Sequence, residues 1–208
     1  MPRSSPDRAR GSEGRLAALS AAVLAGGRSS RMGRDKASLE RHGTTLLERA
    51  VRMLEPLAGE VWVVGGEVRQ VEGASMRWTA DPPGPECALR GLVAALEASQ
   101  REQVWVVAVD LPLLEPELLL ALFAHPPAQA VVPRRDGRAH PLCALYARAP
   151  ALAAARRRLA SGDRVLGGLL DELDTAYLEG ADLEAIDPGG RQLTNVNTPE
   201  QWRALAGP

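Results

Sequence analysis

Apolar and polar positions divide the chain into short continuous apolar runs and longer segments of helical period. Ala21-Ala22-Val23-Leu24, Val61-Trp62-Val63-Val64, Met76 to Thr79, Val104 to Val109 and Ala130-Val131-Val132 each read as a strand. Between them, Leu46, Leu47, Ala50, Val51 and Leu54 fall on one face of a helix over Thr44 to Leu54, opened by a Thr45/Glu48 capping box. Leu89, Leu92, Val93 and Leu96 mark a second helix, and Glu115 to Phe123 a third. Further on, Leu142 to Tyr146 reads as a strand, while Ala149 to Leu159 and Val165 to Leu173 read as helices. Thr194 to Asn197 closes the sheet region, and the last helix starts with Thr198 as N-cap, Pro199 in the first turn and Gln201 completing a capping box. Strands that are apolar throughout and alternate with helices predict an α/β fold whose mostly parallel sheet is covered on both faces.

In such sheets ligands bind beyond the carboxyl ends of the strands. Here those ends carry Gly26-Gly27, Asp81 and Asp110, so the three should meet in one crevice. Paired glycines let the backbone turn sharply and pass close to a ligand. Successive N–H groups in such a turn form an anion site, to which Arg31 and Lys36 add positive charge. Lys36 is the only lysine in a chain otherwise supplied with arginine. A compact ammonium is a different tool from a planar guanidinium fork, and it reaches a phosphate as a point charge. The loop has neither the spacing of a Walker P-loop nor that of a dinucleotide fingerprint.

Asp110 after the strand suits a hard divalent cation or, equally, a loop cap. Asp81 fits a ribose or metal contact as well as the shaping of the Asp-Pro-Pro-Gly turn. Asn195 and Asn197, two apart, share one face of a strand by its period of two, where two amides could bond a base, sugar, phosphate or metal-bound water; equally they fit turn and cap residues ahead of the last helix. His140 fits either a structural or a site role. Arg134, Arg135 and Arg138 cluster around the Asp136-Gly137 turn, as solvated surface or as a contact for an acidic substrate.

The bulk properties agree with one globular unit. With 208 residues, 45% hydrophobic and 25% charged, the chain is long enough to bury a core, and its formal charge of −1 leaves no footprint for nucleic acid or a membrane surface. No apolar run reaches the ~20 residues of a membrane span. Cys87 and Cys143 lack metal spacing and read as inert free thiols in a reducing cytoplasm. Residues 1–15 are polar, Arg-rich and aperiodic, which predicts a disordered tail ahead of a domain over 16–208.

The loop Leu24-Ala25-Gly26-Gly27, Ser29, Arg31-Met32-Gly33, Asp35-Lys36 resembles the nucleotidyltransferase signature LAGGxSxRMGxDK. With Asp81 and Gly84-Pro85, Asp110-Leu111-Pro112, His140-Pro141 with Ala144-Leu145, and Asn195-Val196-Asn197-Thr198-Pro199-Glu200, it is similar to the MobA-type molybdenum cofactor guanylyltransferase family over about residues 20 to 205. The resemblance implies a single-domain Rossmann-like nucleotidyltransferase fold and transfer of GMP from GTP to molybdopterin with release of pyrophosphate. It implies that Leu24, Ala25, Gly26 and Gly27 contact the nucleotide, with Asp81 beside them. Arg31 and Lys36 would hold the triphosphate, Asp110 would bind Mg2+, Asn195 and Asn197 would lie near the molybdenum cofactor or the metal, and His140 would lie towards the cofactor. Proteins of cofactor biosynthesis or molybdoenzymes are the further partners it implies.

The chain departs from the family's short GPLAG segment: Gly84-Pro85 is followed by Glu86-Cys87-Ala88-Leu89-Arg90-Gly91. Two alternatives keep the fold, a transferase using CTP or another nucleotide with a different phosphorylated acceptor, and a non-catalytic nucleotide-binding protein. A nicotinamide-linked oxidoreductase is disfavoured by the missing GxGxxG.

Overall fold

The computed structural model describes residues 18–26, 35–85 and 87–206. The chain runs from β1 (Leu19–Leu24) through a hairpin, β2 (Glu40–Arg41) and β3 (Thr44–Thr45), into α1 (Leu46–Leu54), then β4 (Glu60–Val64) and β5 (Arg77–Thr79). Next come α2 (Ala88–Ala98), β6 (Gln103–Ala108), α3 (Pro116–Ala124), β7 (Ala130–Arg135), β8 (Arg138–Ala139) and β9 (Cys143–Ala147). It finishes with α4 (Arg148–Ala160), α5 (Leu166–Glu172), β10 (Thr175–Glu179), α6 (Gly180–Ile186) and α7 (Pro199–Ala206).

β1 lies inside the eight-stranded sheet, whose order is β10-β7-β9-β6-β1-β4-β5 with β8 paired to β7. All six residues of β1 are buried because parallel partners β4 and β6 hold both its edges and helices cover both its faces. Alternation divides the core in two. Ala21 and Val23, Val61 and Val63, and Trp105 and Val107 face a layer built by α1, α3 and α6. Ala22 and Leu24, Val64, and Val104 and Val106 face α2, α4 and α5. The period of two thus sends neighbouring apolar residues into opposite layers, which is why these strands are continuously apolar.

β8 and β9 depart from the parallel pattern. β9 is antiparallel to both β6 and β7, between which it lies. β7 ends at Arg135 and β9 begins at Cys143, a connection too short for the crossover that a parallel β7–β9 pair requires. The basic cluster is a true hairpin: Asp136 and Gly137 at φ of 50° and 76° turn β7 into β8. Asn195 and Asn197 lie outside any strand, so a strand face is not what brings them together. The expected helix from Thr44 begins at Leu46, since Thr44 and Thr45 belong to the β2–β3 hairpin turned at His42-Gly43. β10 and α6 carried too little apolar pattern to be expected. The 1–15 tail, Gly27, Ser29, Arg31, Met32, Gly33 and Glu86 lie outside the described residues.

The capping box of α1 is complete. Glu48 N–H donates to Thr45 Oγ1 at 3.1 Å, and Thr45 N–H donates to the Glu48 carboxylate at 2.8 Å. These bonds hold Glu48 below its ordinary carboxyl range. Thr45→Ala should lower stability by about 1 kcal/mol, seen in urea as a lower midpoint with an unchanged slope.

Candidate active site

The carboxyl ends of β1, β4, β5 and β6 frame a cleft of about 800 Å³ lined by Leu24, Ala25, Gly26, Lys36, Asp81, Asp110 and Asn195 among others. One end is steric in origin. After β1 the chain turns with Ala25 and Gly26 N–H both donating to Val64 O, at 2.9 and 3.2 Å. After β4, Gly65 takes φ +71° and donates to Thr79 O at 2.9 Å. The carboxylate of Asp81 lies over both glycines: a Cβ at either Gly26 or Gly65 would fall 2.5 Å from Asp81 Oδ2. A Cβ at Gly65 would also come within 2.8 Å of Gly26 Cα. The space the glycines free is therefore filled by their own carboxylate and by each other.

The other end is polar. Asp35 caps a short 3₁₀ turn over Lys36–Ser38 by accepting from Ala37 N–H at 3.0 Å, and it pairs with Arg69 at 2.8 Å. The turn sends Lys36 into the cleft, where Nζ donates to Asp110 Oδ2 at 2.9 Å and to Asn197 Oδ1 at 2.7 Å. Asn195 Nδ2 donates to the other oxygen, Oδ1 of Asp110, at 2.8 Å, and Val196 N–H donates to the Asp110 carbonyl at 2.9 Å. At 20% and 16% side-chain exposure, Lys36 and Asp110 are shielded more than a surface ion pair but remain open to a ligand. A cation, a carboxylate and two amides thus converge at this end of the cleft.

The sequence profile of the MobA-like NTP transferase domain matches residues 21–176, which spans both ends of the cleft except the two asparagines. The chain belongs to this MobA-like NTP transferase family. It is a nucleotidyltransferase, with relatives in molybdenum cofactor biosynthesis. A protein of Chloroflexus aggregans named a probable molybdenum cofactor guanylyltransferase is 38% identical, across 90% of this chain and 93% of its own. One of the same name from Mycobacterium avium is 40% identical, across 90% and 95%. The crystal structure of molybdopterin-guanine dinucleotide biosynthesis protein A from Archaeoglobus fulgidus superposes with a TM-score of 0.73 at 26% identity, across 89% and 95%. A cytidylyltransferase of Thermus thermophilus shares the fold, with a TM-score of 0.65 at 19% identity.

Within this MobA-like fold, Leu24, Ala25, Gly26, Lys36, Asp81, Asp110 and Asn195 all line the cleft, and Asn197 reaches it through Lys36. His140 does not line it. Its carbonyl accepts from Cys143 N–H at 2.9 Å and its N–H donates to Pro133 O at 3.0 Å. Arg134 and Arg135 are committed elsewhere, to Glu179 at 2.8 Å and Glu184 at 2.7 Å. Both cysteines are free. Cys143 is buried, which pushes its thiol up to about 12, whereas Cys87 lines the cleft. Gly65 is not among the candidate site residues read from the sequence, and neither are Pro82 and Arg90. The signal for Gly65 was a second glycine pair at the end of the strand next to β1.

Gly65→Ala combines a positive φ with a blocked Cβ and should cost ~1–3 kcal/mol. Gly65→Ser, equally blocked, should lose a similar amount in the same denaturation measurement. His140 offers a pH test. Burial first, then the nearby Arg138 and Arg135 against a smaller opposing effect of Asp187, hold its pKa below the ordinary 6.5. Below pH 6.5 the unfolded chain takes up a proton that the folded chain resists. Stability should therefore fall as pH drops from 6.5 towards the lowered native value and be fully present above 6.5. His140→Gln should flatten that part of a stability-versus-pH curve.

Proposed function

We propose that the protein transfers the GMP unit of GTP to the terminal phosphate of molybdopterin and releases pyrophosphate. The observation that carries this reading is the joining of Lys36, Asp110, Asn195 and Asn197 at one end of the cleft, within a chain closely similar to molybdenum cofactor guanylyltransferases. The charged end takes the phosphates, which leaves the part lined by Leu24, Pro82, Pro85 and Gly91 for the nucleoside. Ala25 and Gly26 present backbone to it, and Asp81 offers its carboxylate to the sugar. Arg31, from the same loop as Lys36, adds a second cation for the triphosphate. Asn195 and Asn197 stand on the side from which the acceptor phosphate enters.

The donor set fits Mg2+. Among the described residues no three His, Cys, Asp or Glu side chains gather into a cage. Mg2+ is held by one or two carboxylates when substrate phosphates and water supply the remaining oxygens. Asp110 would hold the ion, which when bound neutralises phosphate charge. Lys36 donates to phosphate oxygens, and Asn195 and Asn197 fix the directions of Asp110 and Lys36. The incoming phosphate oxygen forms a bond to the α-phosphorus of GTP as the bond from that phosphorus to the departing pyrophosphate oxygen breaks. The nucleophile is already an anion, so no side chain has to take a proton from it, and His140 need not reach the cleft. What remains for the protein is to align two anions and offset their repulsion. No helix among the described residues is long and apolar enough to cross a membrane, and the two free thiols suit a cytoplasmic setting.

Thermal unfolding with GTP, CTP, ATP or UTP, each with and without Mg2+, tests the reading. A ligand at a hundred times its Kd adds about 2.7 kcal/mol to the folded state. GTP with Mg2+ should give the largest rise in Tm, and Lys36→Ala should remove most of that rise. A rise with CTP or UTP and none with GTP overturns guanylyl transfer.

A further inference from the structure

Arg90 is the one cation in the nucleoside end of the cleft among the described residues. From the first turn of α2 its Nε and Nη2 both donate to the carbonyl of Pro82, at 3.1 and 2.6 Å. The guanidinium then lies close against Gly84, which has φ +129°; a Cβ there would fall 2.8 Å from Arg90 Cζ and 2.9 Å from Nη2. Gly84 thus permits this approach by having no side chain. The loop so held is Pro82-Pro83-Gly84-Pro85, in which every residue but Gly84 is a proline with no N–H to donate. Three of its four residues therefore cannot donate a backbone bond. Two donors of one rigid fork on a single carbonyl fix both the distance and the direction of the loop relative to α2, which a single-point ammonium cannot do.

We propose that Arg90 is a positioning residue of the nucleotide site: by clamping Pro82 and seating on Gly84 it sets the wall against which the nucleobase rests, and so sets base preference. This rests on the nucleotidyl-transfer reading, in which phosphates occupy the Lys36 end and the base lies at the other. Arg90 stands apart from the reacting phosphates, so its effect falls on nucleotide binding and on the choice between bases.

Steady-state kinetics with GTP and CTP on the parent, Arg90→Ala and Arg90→Lys test it, with Tm measured for each. Loss of a charge-assisted hydrogen bond predicts a KM for GTP raised roughly tenfold or more in Arg90→Ala. In the same variant kcat stays within about twofold, because uniform binding is what is removed. The ratio of kcat/KM for GTP over CTP should fall along with it. Arg90→Lys keeps the charge and the stem packed on α2 but not the fork, so it should resemble Arg90→Ala; it also serves if Arg90→Ala does not fold. An unchanged KM and base ratio in folded Arg90→Lys overturns the proposal, and so does a loss confined to kcat. A parent that uses CTP and ignores GTP overturns the guanylyl reading alone; the same KM comparison on CTP then decides the role of Arg90.

Discussion

A single ammonium holds together three distant parts of this chain. Lys36 comes from the loop after the first strand, Asp110 from the end of β6, and Asn197 from the segment before the last helix. A carboxylate largely shielded from water needs donors for both oxygens, and it finds one in Lys36 and the other in Asn195. Because Val196 also donates to the Asp110 backbone, the C-terminal segment is tied to the carboxyl end of β6 through main chain as well as side chain. The geometry at the carboxyl ends of the inner strands thus depends on electrostatic satisfaction between elements that share no secondary structure.

The neighbouring end of the cleft is governed by sterics. Gly26, Gly65 and Asp81 come from the ends of three adjacent strands and pack so closely that no β-carbon fits between them. The arginines that dominate the basic composition are spent differently. Arg134 forks onto Glu179 with its guanidinium 3.9 Å above the Tyr177 ring, while Arg158 pairs with both Asp163 and Glu172. Such planar groups knit the surface, and the one compact cation is kept for the cleft.

Much of this was legible in the sequence because it is written in local signals. Continuous apolar runs gave the inner strands β1, β4 and β6, the Thr45/Glu48 and Thr198/Gln201 pairs gave two helix starts, and glycines and aspartates at strand ends gave the crevice. What was hidden depends on pairing across distance. The antiparallel sense of β9 follows from how short its connection to β7 is, and the edge strand β10 has too few apolar positions to stand out. Asn195 and Asn197 were placed together for a reason the structure replaces: they converge because Asp110 and Lys36 need partners, not because a strand aligns them. The grip of Arg90 on Pro82 was invisible because no periodicity marks a side chain that bonds a proline carbonyl eight positions earlier.

The span of these contacts has a consequence for how the molecule comes into being. Lys36 and Asn197 are 161 positions apart, and Asp110 and Asn195 are 85 apart. Closing loops of this length is entropically costly and is deferred until nearer contacts have formed. The sheet's own inner pair, which joins Leu19 to Gln103, is as far-reaching as the Asp110–Asn195 bond, and of these only the Lys36–Asn197 contact spans more of the chain. On this ordering strands and core come first, and the charge cluster is completed only as that longest contact closes.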